Sequence, residues 1–421
     1  MIQTVAERRD KADQLKKLLS LTKERGVQKR SPFYTLKASR KRLNVIANYF
    51  RKAYRKDSKV IYRSVIMPTE IFFAMDLVPV CMETVSAMLA SSALSPRAIN
   101  VAEQNHYSRD LCSFTRCTLG AALEDYLPTP DFLACTSYYC DDTPKLFYIL
   151  SKLYGKNYFL LDIPYDYKSE EAVEYLAGQI RQMTSALEEK FEQKLDHDKL
   201  AEVIHLSNEA RDYFVKVNEL RENIPAPISG GEAIDYAALL AFTWGSKEMV
   251  DICKALYEDV KERVEANTKA TNSKKIRILW RHLKPYYSDT LIEFIEKDLN
   301  CDIAFEEINY IHWERLDPKD PFRSLARKLI LNSPVGPIEH WMKDSFGLLE
   351  KYKIDAVISF THWGCRQLAS TNQIFKDGLK ARGIPMLELG GDCIDSRDYS
   401  FQQLKTRTQA FIEMIRGEAG L

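Results

Sequence analysis

The sequence predicts an α/β protein built from two similar parallel-sheet lobes, with a helical segment in front and a helical insertion between them. Three observations lead there. Short apolar runs alternate with amphipathic stretches in two separate parts of the chain, the pattern of βαβ units. Between those parts the strand signal disappears into long charged amphipathic patterns. The chain has 421 residues, more than one ordinary core accommodates.

Residues 1–62 have helical periodicity with few turn signals. They carry the most basic run of the chain: Arg8, Arg9, Lys16, Lys17, Arg25, Lys29, Arg30, Arg40, Lys41 and Arg42. Such a run is usually a solvated helical face, and a docking surface for an acidic partner is the minority reading. Residues 63–168 form the first lobe. Its strands are read in FFAMDLVPV, DFLACTS and NYFLLDIP, with helices over 111–126 and 144–154.

Residues 169–272 form the helical insertion, broken by Pro225, Pro227 and the pair Gly230–Gly231. The second lobe, 273–421, restores the alternation with strands in KIRILWRH, CDIAFEEI, DAVISFTH and PMLELGGD. Gly383 ends the helix before the last strand, and FQQLKTRTQAFIEMIRGE is a terminal helix.

Hydrophobic residues are 45% and charged residues 28%, the balance of a soluble globular protein. Net charge is +1, so no global field favours nucleic acid or an anionic membrane. No apolar run reaches the ~20 residues that span a bilayer, and the start MIQTVAERRDKADQ lacks a signal-peptide core. A cytoplasmic location is expected, where thiols stay reduced and clustered cysteines point to metal or redox chemistry.

Nine cysteines are present. Cys81, Cys140, Cys365 and Cys393 follow predicted strands, where open parallel sheets place their ligands. Cys112 opens a helix, whose N-terminal dipole favours a thiolate. Cys117 lies further along that helix and Cys135 within a strand; Cys253 and Cys301 have no such context. Taken singly, a cysteine is more often a small buried hydrophobe than a ligand.

No Cys-x2-Cys occurs, so a zinc ribbon is weakly supported. The pairs 112/117 and 135/140 match only the start of a plant-type ferredoxin pattern. GVQKRS and SGGEA fit no phosphate loop, which assigns any ATP use to another subunit. His362 and Glu83, beside Cys365 and Cys81, are the candidate proton-handling residues; for His362 a core or capping histidine weighs equally. Thr361, Trp363, Arg366, His106 and Tyr107 lie in the same loops.

The stretch FTHWGCRQLASTNQIFKDGLKARGIPMLELGGDCIDSRDYSFQQLKTRTQAFIEMI resembles the C-terminal signature of the 2-hydroxyacyl-CoA dehydratase and benzoyl-CoA reductase family. PTEIFFAMDLVPV is similar to that family's opening strand, and SRDLCSFTRCTLG and Cys140–Asp141 to its first two cluster-ligand motifs. The resemblance implies two Rossmann- or flavodoxin-like lobes with a [4Fe-4S] cluster between them on Cys112, Cys140 and Cys365. It also implies a dimer, and a separate ATP-hydrolysing iron–sulfur activator that injects low-potential electrons.

Cys81, Cys117 and Cys393 exceed that three-cysteine pattern and look like the double-cubane branch of the family. In that branch six cysteines hold an [8Fe-9S] cluster and small molecules are reduced; Cys135 could replace Cys117 or Cys393. The leading expectation is therefore such a reductase. The alternatives are a [4Fe-4S] 2-hydroxyacyl-CoA dehydratase subunit, and an electron carrier without a substrate of its own.

Overall fold

The structure is a computed structural model that describes Leu18 and residues 36–138, 140–240, 243–266, 275–288 and 290–419. The basic residues from Arg8 to Arg30 lie outside the described residues. Arg40, Lys41 and Arg42 fall on the first long helix, α1 (Lys37–Ala53), where Arg42 is buried against Asp235 at 3.1 Å. That contact replaces part of the expected solvated basic face with an internal ion pair.

The first lobe runs β1 (Val60–Arg63), α2 (Thr69–Ala74), β2 (Val78–Cys81), α3 (Met82–Ser91), α4 (Ser95–Gln104), α5 (Ser113–Leu123), β3 (Phe132–Thr136), α6 (Asp142–Tyr154) and β4 (Tyr158–Leu161). Two sequence expectations are corrected here. Val60–Arg63 is a strand although it begins within the segment read as helical to residue 62. TEIFFA, read as part of a strand, is the helix α2. Its apolar run is too short for periodicity to decide between helix and strand, while Pro68 at the N-cap and Glu70 in the first turn are helix-start signals.

Among the described residues, the segment read as a helical insertion carries four helices: α7 (Glu170–Phe191), α8 (His197–Leu220), α9 (Gly230–Leu240) and α10 (Lys247–Ala266). Ser169 caps α7 by accepting from the Ala172 amide at 3.1 Å, and Asp196 caps α8 by accepting from the amides of Asp198 and Lys199.

The second lobe follows with β5 (Arg277–Arg281), α11 (Thr290–Glu293) continuing as a π-helical turn to Asp298, β6 (Asp302–Glu306), α12 (Pro321–Ile330), α13 (Ile338–Lys351), β7 (Ala356–His362), α14 (Arg366–Lys380), β8 (Met386–Gly391) and α15 (Phe401–Ala419). Gly383 takes the left-handed conformation, φ 71°, in the turn after α14.

Each lobe holds a four-stranded sheet with every neighbouring pair parallel. The strand orders are β2-β1-β3-β4 and β6-β5-β7-β8, the same topology twice. In each, the order reverses between the first and third strands, the switch point where such sheets bind ligands. Both faces of the sheets are covered, which is why the strands read as near-continuous apolar runs.

Successive residues alternate between cores. Val60, Tyr62, Leu133, Ile278, Trp280, Ile358 and Phe360 share one apolar cluster that joins the lobes. Ile61 and Ala134 face a second core with α7, α8 and α10, and Leu279 and Val357 face a third with α13 and α14. The shared cluster fixes the two sets of strand ends relative to each other.

Candidate active site at the strand ends

Parallel register brings Arg63 of β1 level with Cys81 of β2. The Arg63 guanidinium is fully buried and its Nη1 donates to the carbonyls of Ser64 and Val65, both at 2.9 Å. It draws the Cys81 thiol down, yet burial dominates and pushes that thiol up to about 11. Cys81 Sγ–H donates to Glu83 Oε2 at 3.3 Å, and Thr143 Oγ1–H donates to Glu83 Oε1 at 3.3 Å. Glu83 thus links Cys81 to the loop of Cys140, whose thiol also feels its charge. Burial raises the proton affinity of Glu83 itself, which suits a group that holds a proton to give away.

Cys112 is the N-cap residue of α5 and Cys365 that of α14. The Cys112 amide donates to Asp142 Oδ2 at 2.9 Å, so the first turn of α6 anchors the start of α5. Gly364 lets the second lobe's loop press against this point. A Cβ on Gly364 would stand 2.7 Å from Cys112 Cα and 3.2 Å from its Sγ, so only glycine fits without displacement. Arg366 Nε lies 3.3 Å from Asp141 Oδ2, tying the residue after Cys365 to the residue after Cys140.

Cys112, Cys140, Cys365 and Cys393 consequently share one region. The charge of Cys140 is felt by Cys112 and by Cys365, and Cys393 feels both Cys112 and Cys365. Burial is the largest influence on each and pushes all four thiols up. Cys117 is fully buried inside α5, hydrogen-bonded to Ser86 and pushed up to about 12. Cys135 is buried in β3 and feels Glu83. Cys253 and Cys301 pack in apolar cores.

His362 closes β7 between two of the cysteines. The Cys393 amide donates to its Nδ1 at 3.2 Å, and its Nε2 stands 3.2 Å from Cys112 Sγ. A nitrogen that accepts an amide hydrogen carries none, so the neutral ring bears its proton on Nε2, pointing at the sulfur. Burial holds this imidazole below its ordinary proton affinity, against the pull of the Asp392 carboxylate. His362 is therefore placed to donate to a cysteine sulfur. Of the other loop residues, Thr361 Oγ1 donates to Glu388 Oε1 at 3.0 Å, Trp363 is exposed at the rim, and His106 has a positive φ of 66°.

Asp392, Asp142, Arg63 and Gly364 carry much of this arrangement and are not singled out by sequence reasoning. Asp392 Oδ1 accepts from Ser113 Oγ and from the amides of Ile394 and Asp395, all at 2.7 Å. Its signal is positional only: an acidic residue directly before a strand-end cysteine.

Among the described residues no three His, Cys, Asp or Glu side chains stand close enough to hold a single metal ion. A buried thiol without a cation stays protonated, whereas a bound metal ion inverts that preference. Soft sulfur donors and the buried Arg63 cation fit an anionic iron–sulfur group.

The chain matches the family model for the 2-hydroxyglutaryl-CoA dehydratase D-component over residues 64–415. It is 24% identical to the alpha subunit of the (R)-phenyllactyl-CoA dehydratase of Clostridium sporogenes, with 86% of this chain and 91% of that one covered. It is 22% identical to the alpha subunit of the lactoyl-CoA dehydratase of Anaerotignum propionicum, covering 87% and 92%. It is also 22% identical to a subunit of the benzoyl-CoA reductase of Thauera aromatica, covering 88% and 92%. A match across most of the chain, over two sheets whose strand ends gather the cysteines, makes this protein a member of the 2-hydroxyglutaryl-CoA dehydratase D-component family.

Proposed function

We propose that this chain is an iron–sulfur reductase that reduces small molecules with low-potential electrons from a separate, ATP-hydrolysing iron–sulfur activator. The residues that would hold a double-cubane [8Fe-9S] cluster are Cys81, Cys112, Cys117, Cys140, Cys365 and Cys393. When bound, such a cluster supplies stored electrons at a potential set by ligation, hydrogen bonding and burial. The observation that carries the reading is the sharing of one site by Cys393 and the Cys112, Cys140 and Cys365 set, with Cys81 attached through Glu83.

The chain's own residues then have distinct tasks. His362 donates to the Cys112 sulfur, and Arg63 balances negative charge next to Cys81. Glu83 holds a proton beside Cys81 and Thr143. Cys81, Cys112, Cys117 and Cys393 are buried, while Cys140 and Cys365 are part-exposed at the rim. A homodimer and a cytoplasmic location belong to the same proposal.

The second reading is a 2-hydroxyacyl-CoA dehydratase subunit with one [4Fe-4S] cluster on Cys112, Cys140 and Cys365. It is favoured by the names of the dehydratase relatives. Iron and sulfide analysis after anaerobic purification separates the two: about eight irons per chain supports the first and about four the second. Under the first, Cys81→Ser and Cys393→Ser lower the iron content; unchanged iron in both sinks it. Reduction by the activator without turnover of any substrate would instead identify an electron carrier.

A further inference from the structure

Among the described residues the two sheets leave four edge strands, β2, β4, β6 and β8, and three of them are blunted. On β2 the Tyr49 hydroxyl donates to the Pro79 carbonyl, and Pro79 has no N–H to offer. On β6 the pairing register shifts, and Arg221 Nη2 donates to the Ala304 carbonyl at 3.1 Å. On β8 Arg407 Nη2 donates to the Glu388 carbonyl at 2.7 Å. Such devices keep an edge from accepting a further strand.

The edge of β4 lacks them. The Ser137 amide donates to the Leu161 carbonyl at 2.8 Å, so Leu161 and, by alternation, Phe159 turn their backbone toward β3. Tyr158 and Leu160 therefore point N–H and C=O outward, and no side chain among the described residues bonds to them. Both ends of this short ladder are closed. The Asp162 amide donates to Gln179 Oε1 at 2.8 Å, and its carbonyl accepts from Gln179 Nε2 at 2.9 Å. At the other end the Lys156 amide donates to the Ser151 carbonyl at 3.0 Å.

The side chains around this opening are apolar and uncovered. Tyr158 meets Tyr148 of α6 edge to face at 6.5 Å, and Tyr148 is half exposed. Leu160 shares the face of Tyr158 by alternation and is also exposed. Tyr175 of α7 is exposed, and its hydroxyl donates to Asp162 Oδ2 at 3.1 Å. The strand itself, Tyr-Phe-Leu-Leu, carries neither charge nor proline, the usual guards of a free edge.

An edge of this kind suits its own image. Laid antiparallel about a two-fold axis at Phe159, Tyr158 stands opposite Leu160 of the second copy, and each such pair exchanges both of its N–H···O bonds. The same register sets Lys156, before the strand, against Asp162, after it, on the other copy. A strand basic at its start and acidic at its end attracts its antiparallel image and repels a parallel one.

We propose that β4 pairs with β4 of a second copy of this chain in that register, which joins the first-lobe sheets of two chains into one. The inference deepens the reductase reading by placing its homodimer, and rests on that reading for this purpose only. The pairing itself needs no cluster.

The test uses the full chain, purified anaerobically with its cluster. The wild type is expected to sediment at twice the mass of one chain, with the Tyr158 and Leu160 amides protected from hydrogen exchange. Leu160→Pro deletes one outward N–H and should give a monomer with native circular dichroism. Lys156→Glu and Asp162→Lys should each weaken the dimer at least about tenfold, because each turns attractive pairs into repulsive ones. Together they should restore it, and they decide the matter if Leu160→Pro does not fold. A monomeric wild type overturns the proposal, whether those amides exchange quickly at an open edge or slowly beneath another segment of the chain. A natively folded Leu160→Pro dimer, or a double charge variant no tighter than the single ones, overturns it as well. Iron content of the same samples judges the reductase reading separately. A dimer paired in this way without a large cluster defeats that reading alone, and an iron-loaded monomer defeats the pairing alone.

Discussion

The Arg397 guanidinium grips Glu103 with both of its terminal nitrogens, Nη1 to Oε2 at 2.9 Å and Nη2 to Oε1 at 2.6 Å. Arg397 follows β8 in the second lobe and Glu103 lies on α4 in the first. Asp395 shares the same arginine, and Arg116 of α5 lies 3.6 Å from Asp395. This half-buried network of two arginines and two carboxylates spans the lobes beside Cys112 and Cys393.

Arg397→Met is expected to weaken the lobe contact and to lower stability by about 1–3 kcal/mol, the range for bidentate bonds between charged groups that are not fully exposed. Denaturant melts of the variant check the magnitude. An unchanged midpoint would show that the network is not a clamp.

Gly364→Ala should damage the site far more than the fold. The added methyl group collides with the Cys112 backbone, which cannot rotate away like a side-chain tip. Misplacement on the scale of 1 Å at a reacting site costs about 10²-fold in rate. Iron content and activity should both fall while far-ultraviolet circular dichroism stays native. Full iron loading in this variant would contradict the close packing of Gly364 on Cys112.

His362 offers a readout in potential. His362→Leu removes the donor to the Cys112 sulfur and is expected to lower the midpoint potential by about 65–130 mV, the one-electron equivalent of one hydrogen bond to a charged group. His362→Gln, which keeps an N–H and an acceptor, should restore part of the shift. Equal potentials in all three proteins would assign His362 a packing role against Phe114, whose ring it meets at 5.5 Å.

Glu296, outside the proposed ligand set, provides a pH dependence of its own. Burial, reinforced by Glu306 and Asp302, pushes its carboxyl up to about 8, against an ordinary value of 4.5. The folded state therefore binds a proton that the unfolded state releases between those values, and stability falls as pH rises from about 4.5 to about 8. Glu296→Gln keeps an acceptor for the Gly230 amide, which donates to Glu296 Oε1 at 2.7 Å. It should flatten this slope, as thermal melts at pH 5 and pH 8.5 would reveal.

Much of this architecture is visible in the chain because buried parallel strands leave uninterrupted apolar runs. VISFTH and the apolar stretch of PMLELGGD need no partner to be recognised as strands. VIYR at 60–63 escapes because a strand of four residues, six positions after a basic helix, gives no separate signal. TEIFFA misleads because its aromatic pair suits a strand as well as a buried helix.

At the site, cysteines are legible through their place after strands. Cys112 and Asp142 are 30 positions apart, and Ser113 and Asp392 are 279 apart. Such pairs are made by the fold, and no local pattern announces them. The open edge of β4 is silent for the same reason: it is defined by what its neighbours leave bare.

The repeated 2-1-3-4 strand order has an operational consequence. Cys81, Cys112, Cys117 and Cys140 belong to the first lobe and Cys365 and Cys393 to the second. A small hinge opening would part these groups while leaving every strand paired. With the proposed cluster bound, colour and ellipticity should thus report different events during mild denaturation, bleaching first and melting later. A probe of backbone order alone would pass a sample that has already lost its centre.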